Sequence, residues 1–238
     1  MAASKLNEYI YNSSRHAKQK INNFHVLGGR IHVQIKDPLP AEINFVDIFE
    51  KVRRLIPDGF FLGLKSIKIG QFKDFHEKHV NAFYSNGSLY ITNVQDDAQD
   101  IIDDVIHEIA HLIEERYPDE LYGDGYIRAE FLGKRKKLLD ILAAHGYNVM
   151  IDGFTETEYS VEFDNFLYKE IGYSKLANFI QGLFLGPYSV TSVHEYFATG
   201  LEDYFIKHGE RSYMKSVCPM LYRKISLLEK EFRNAENL

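Results

Sequence analysis

The sequence predicts an α+β protein, with a small mixed sheet and a hairpin in its N-terminal part and a mostly helical C-terminal part. Three observations predict it. Before about residue 95, short runs alternate polar and apolar residues; an Asn86-Gly87 pair joins two β-rich runs; and beyond Pro118 the apolar residues recur at helical spacing.

Each element has its own signal. From Arg30 to Lys36, Ile31, Val33 and Ile35 fall on one side, as in a half-buried strand. Phe45, Ile48, Phe49, Val52 and Leu55 have helical spacing, and Ser66-Ile67-Lys68-Ile69 resumes the strand pattern. Ala82 to Thr92 reads as a hairpin, because Asn-Gly tolerates the positive φ angles of a type I′ turn. A helix then carries Ile102, Val105, Ile106, Ile109, Ala110 and Ile113 and ends at Pro118. Further helices are expected over Tyr126 to Ala144, Ser174 to Leu185, Val190 to His208 and Pro219 to Phe232. Gly28-Gly29 is an isolated turn signal, and there is no internal repeat. The expected organisation is one domain over 1–238, with a strand-rich lobe over about 1–95 and a helical lobe over 96–238.

Composition narrows the function classes. With 45% hydrophobic residues in 238, the chain can bury a substantial core. The single Cys218 excludes an intrachain disulfide and a cysteine-based zinc site, so a metal here must be held by histidine and carboxylate. A net charge of −6 argues against nucleic acid, and the basic run Lys134-Arg135-Lys136-Lys137 reads as a solvated helix face. No run approaches the ~20 apolar residues of a membrane span, and Met1 to Glu8 lacks a signal-peptide core. The expectation is a soluble protein without a signal peptide, cytoplasmic or delivered by a non-classical route, that binds neither nucleic acid nor membrane.

The most informative segment is His107-Glu108-Ile109-Ala110-His111. At roughly 100° per residue, a four-residue step brings both imidazoles to within about 40° of one direction, where they can grip one zinc ion. Glu108 lies one position beyond the first ligand, where its carboxylate can act as general base toward a zinc-bound water. By chance alone the bare motif would arise roughly three times per hundred chains of this composition, so the apolar stripe beneath it matters.

A catalytic zinc needs a third protein ligand. Glu115 would put three successive ligands on one straight helix, which cannot close around a tetrahedral ion, and His145 before Gly146 reads as a helix cap. Glu195 is the better candidate: Val193, Tyr196, Phe197, Gly200, Leu201, Tyr204 and Phe205 form a buried stripe, leaving Glu195, Thr199 and Glu202 on a separate face. Asp104 or Glu202 could orient a ligating imidazole. His76, His79, His194 and His208 lack a metal-like partner on their own elements and read as surface or structural residues.

With its His107-Glu108-x-x-His111 motif, the later Glu195-Tyr196-Phe197-Ala198 and a tyrosine seven positions before that glutamate, the chain resembles the gluzincin metallopeptidases. The resemblance is closest to the anthrax-lethal-factor-like group that includes the Pro-Pro endopeptidases, and it covers about 82–205. It implies a zincin-like fold with Glu195 as third zinc ligand, Tyr188 as oxyanion-stabilising hydroxyl, and a helical insertion near 118–187. Thr199 departs from the pattern, standing where relatives carry an acid. The expected activity is zinc-dependent hydrolysis of peptide bonds, on a protein or peptide that pairs with a free strand edge near Ser88 to Asn93. The alternatives are a regulatory gluzincin that cleaves a repressor-type protein, and a non-catalytic zinc-binding interaction protein of metallopeptidase-like fold.

Overall fold

The structure, a computed structural model, describes residues 22–78, 80–149 and 151–236. His79, the side chain of His76 and the opening segment Met1 to Glu8 lie outside that description. The chain divides into two compact units, one of Met1–Val52 with Gly63–Val105 and one of Arg53–Leu62 with Ile106–Leu238. The described part is α+β, as the sequence predicts.

The first unit holds a five-stranded mixed sheet of β1 (Asn23–Val26), β2 (Ile31–Ile35), β3 (Ser66–Ile69), β4 (Ala82–Ser85) and β5 (Ser88–Ile91), in the order β1-β2-β3-β5-β4. β2, β3 and β5 are parallel, while the outer strands β1 and β4 run antiparallel to their neighbours. Register places Val33, Ile67 and Leu89 in one cross-strand row and Ile35, Ile69 and Ile91 in the next. Strand alternation sends these rows to one face, and five of the six residues are almost wholly buried. On the other face Ser66 donates to Ser88 and Lys68 to the Tyr90 hydroxyl. Helix α1 (Phe45–Leu55) follows β2 and buries Phe45, Ile48, Phe49 and Val52, the stripe that predicted it. Asn86 and Gly87, at φ 50° and 77°, make the expected turn between β4 and β5. α2 (Lys73–Lys78) precedes that hairpin.

One expectation fails in this sheet. Ser88 to Ile91 has no free edge, because β5 pairs with β3 on one side and β4 on the other. Its Leu89 and Ile91 continue the apolar rows, so the strand belongs inside the sheet; among the described residues the outermost strands are β1 and β4.

α3 (Ala98–Arg116) leads from the first unit into the second. The second unit continues with α4 (Pro118–Tyr122), α5 (Tyr126–Ala144), α6 (Ile151–Thr155), α7 (Val161–Asn165), a π-helical turn over Phe166–Ile171, α8 (Tyr173–Phe179), a 3₁₀ turn over Tyr188–Val190, α9 (Val193–Ile206), α10 (Arg211–Val217) and α11 (Pro219–Glu236). Pro118 ends α3 and also opens α4 at its first turn, where a missing N–H costs nothing. The helix expected over Ser174 to Leu185 stops at Phe179, with Gly182 beyond it at φ 72°. The one expected from Val190 begins at Val193, because Ser192 is extended at φ −157°, ψ 166° and caps it. No helix among the described residues is long and apolar enough to cross a membrane.

The basic run on α5 is not a solvated face. Lys136 and Lys137 are exposed, but Arg135 is completely buried and Lys134 nearly so. Lys134 donates to the carbonyls of Leu183 and Val217. Arg135 donates to those of Val190, Thr191, Gly153 and Glu156, with its guanidinium 4.5 Å from the Phe131 ring centre and 4.4 Å from that of Phe163. Burial pushes its pKa down to about 9, with the Glu156 charge opposing. Planar, five-donor geometry lets arginine replace water around four carbonyls at once. Arg135→Met is therefore expected to lower unfolding stability by on the order of 3 kcal/mol, since each buried carbonyl left unpaired costs about 1–3 kcal/mol. Urea denaturation measures this; a loss below about 1 kcal/mol would contradict the role.

Candidate metal centre

The centre is built from α3 and α9. Turning Ile102, Val105, Ile106, Ile109, Ala110 and Ile113 into the core leaves His107 and His111 side by side on another face, with ring centres 5.4 Å apart. α9 starts in a Ser-x-x-Glu capping pattern, in which the Ser192 hydroxyl accepts from the Glu195 N–H at 3.0 Å. That bond fixes the backbone of Glu195 in the first turn. Its carboxylate turns to the histidines, with Oε2 3.0 Å from His107 Nε2 and Oε1 3.8 Å from His111 Nε2.

The other ring nitrogens face carboxylates as well. His107 Nδ1 lies 3.2 Å from Glu202, two turns along α9 from Glu195, and His111 Nδ1 lies 2.9 Å from Glu114. Each imidazole thus directs Nε2 to Glu195 and Nδ1 to a carboxylate behind it, an arrangement that in the neutral, metal-bound ring would keep the proton on Nδ1 and leave Nε2 for the ion. Burial by itself would lower the His107 pKa, but the hydrogen bonds of Glu195 and Glu202, with the charges of Glu195 and Glu108, push it up to about 10. His111 moves in the same direction: burial opposes, and the Glu114 hydrogen bond with the charges of Glu195 and Glu108 prevails. This negative potential favours a cation, whether a proton or a metal ion. Metal uptake must displace the proton, so it strengthens as pH rises.

Do these residues fit a metal? Ligands about 2.0–2.1 Å from an ion at the centre of a tetrahedron stand roughly 3.3 Å apart. The Nε2-to-carboxylate separations of 3.0 and 3.8 Å bracket that value. Ligand atoms of His107, Glu108 and His111 also lie within 4.8 Å of one another, so this group could hold an ion too. Glu195 reaches both imidazoles from a second helix, through different oxygens, while Glu108 is buried on the helix of the histidines.

Tyr188 lies in the 3₁₀ turn before α9, separated from it by the extended Ser192. The two segments do not form one helix, as a simple two-turn projection would require. The ring is 38% exposed, and burial together with the nearby charges of Glu195, Tyr159, Asp164 and Glu108 raises its hydroxyl pKa. Tyr188 is therefore in the same electrostatic neighbourhood as Glu195 and Glu108 and keeps its proton at neutral pH.

The other candidates separate clearly. Glu115 is exposed, and His145 caps α5, its Nδ1 lying 2.8 Å from the Ile141 carbonyl. Asp104 accepts from Gln95 at 3.1 Å, and Glu202 stands behind His107 and meets its imidazole. His194 bridges Glu114 and Glu158. Sequence reasoning missed Glu114, although its position three residues after His111, on the same helix face, was a usable signal. Comparison with protein-family models, curated proteins and solved structures finds no match to this chain.

Proposed function

We propose that the protein is a zinc-dependent endopeptidase of gluzincin type on a zincin-like fold, with His107, His111 and Glu195 as the metal ligands. The observation that carries the reading is the convergence of both Nε2 atoms on Glu195 while Glu202 and Glu114 hold both Nδ1 atoms. The buried Glu108 carboxylate, close to both imidazoles, supports hydrolysis over a purely structural metal, since with Glu195 as third ligand it is left to serve as base.

Bound zinc would supply a Lewis acid that acidifies water and polarises a carbonyl. Glu108 accepts the proton of the attacking water and returns it to the departing amine, so the peptide bond is exchanged for a carboxylate and an amine with no net proton left on the enzyme. Burial to 8% exposure keeps Glu108 away from bulk water. The protonated Tyr188 hydroxyl donates to the oxygen that gains charge during attack. The substrate is a protein or peptide.

The test is cleavage of a diverse peptide library, followed by mass spectrometry, with and without a zinc chelator. The expected result is cutting that chelation abolishes and zinc restores. Stoichiometric zinc without any cleavage would favour the non-catalytic alternative. On a peptide that is cut, Tyr188→Phe should retain zinc and lose on the order of 10²–10³ in turnover, the cost of one oxyanion donor. Turnover within a few-fold of the parent would return Tyr188 to an ordinary aromatic role.

A further inference from the structure

Glu114 is a buried carboxylate with 8% exposure that three donors share. Its Oε2 takes His111 Nδ1 at 2.9 Å; its Oε1 takes His194 Nδ1 at 2.9 Å and the Tyr122 hydroxyl. His111 is on α3, Tyr122 on α4, and His194 is the residue immediately before Glu195 on α9. The far nitrogen of His194 reaches Glu158 at 3.2 Å, and the Tyr122 and His194 rings meet edge to face with centres 5.9 Å apart. One side chain therefore joins the two helices that carry the proposed ligands.

We propose that Glu114 is a positioning residue for the metal centre, setting the tautomer of His111 and, through His194, clamping the first turn of α9 at the spacing that lets Glu195 span both imidazoles. The inference rests on the zinc reading and goes beyond it by assigning the grip on the metal to a residue that touches neither metal nor substrate. A buried carboxylate is costly to keep ionised unless its oxygens are satisfied. Here the donors around Glu114 are two imidazoles and a phenol, so its full satisfaction is tied to the His111 Nδ1–H tautomer. That tautomer leaves the Nε2 lone pair for the ion. Loss of such an outer partner costs 10- to 100-fold in metal affinity in comparable sites.

Glu114→Gln keeps the size of the side chain and removes its charge. Its zinc affinity, measured by competition with a chromophoric chelator, is expected to fall about 10- to 100-fold, with a shifted visible spectrum in the cobalt-substituted protein. His194→Ala should weaken zinc less, and the double variant should lose less than the sum of the two single effects, because both changes cut one path. Zinc affinity within threefold of the parent and an unchanged cobalt spectrum in Glu114→Gln would overturn the assignment. A second measurement needs no variant: in the zinc-loaded parent, long-range ¹H–¹⁵N correlation should show His111 protonated at Nδ1, and protonation at Nε2 would overturn it. A parent that binds no zinc defeats the underlying reading. A zinc-binding parent with a parent-like Glu114→Gln defeats the Glu114 assignment alone.

Discussion

Glu108→Gln is expected to keep zinc and fold while losing nearly all peptidase activity. The amide matches the carboxylate in shape, so the buried site tolerates it, but it cannot accept the proton of water. Glu108 is within reach of the same ion as His107 and His111, but in the proposed centre Glu195, which spans both imidazoles, completes the ligand set and Glu108 is the base. Removing the base should therefore spare the metal. The loss should exceed that of Tyr188→Phe, because bound zinc would still supply a Lewis acid when one hydroxyl donor is missing, whereas Glu108 is the one group assigned to take the proton. The check is turnover on one peptide together with zinc content by elemental analysis. Activity in Glu108→Gln above that of Tyr188→Phe would reverse the assigned roles.

Glu195→Ala should strip or severely weaken zinc, whereas Glu115→Ala and His145→Ala should leave it in place. Glu195 holds both Nε2 atoms from a second helix; Glu115 is exposed on the helix of the histidines, and His145 is bonded to a carbonyl at the end of α5. Two histidines alone leave a zinc ion short of the three protein ligands of a catalytic site. Dialysis followed by elemental analysis of all three variants checks this. Retained metal in Glu195→Ala with loss in either control would move the third ligand.

What could be read in advance follows the range of the interactions. His107, Glu108 and His111 were legible because one helix sets their spacing, and the stripe from Ile102 to Ile113 fixes which face is left for them. Glu195 was legible as one of the polar positions, with Thr199 and Glu202, that the apolar stripe of its helix leaves on a separate face. Glu114 was not singled out: Asp104 and Glu202 were weighed as the acid behind an imidazole, and Glu115 only as a third ligand. Spacing put Glu114 within reach of His111, but which way the His111 ring turns its Nδ1 depends on tertiary packing. Arg135 was misread for a related reason. Its partners are backbone carbonyls at 153, 156, 190 and 191, which any residue type supplies, so a fully buried arginine looks like one more member of a solvated basic run. The place of β5 also depends on a distant partner. Asn86-Gly87 specifies its pairing with β4, but the parallel pairing with β3 that fills its other edge crosses intervening chain and has no local signal.

The central claim is that His107 and His111 hold a zinc ion. Elemental analysis of the purified parent beside His107→Ala and His111→Ala tests it most directly. The account predicts about one equivalent of zinc in the parent and its loss in both variants, because each removes one of three protein ligands. Absence of zinc from the parent after exposure to the metal, or full occupancy in both variants, would contradict it.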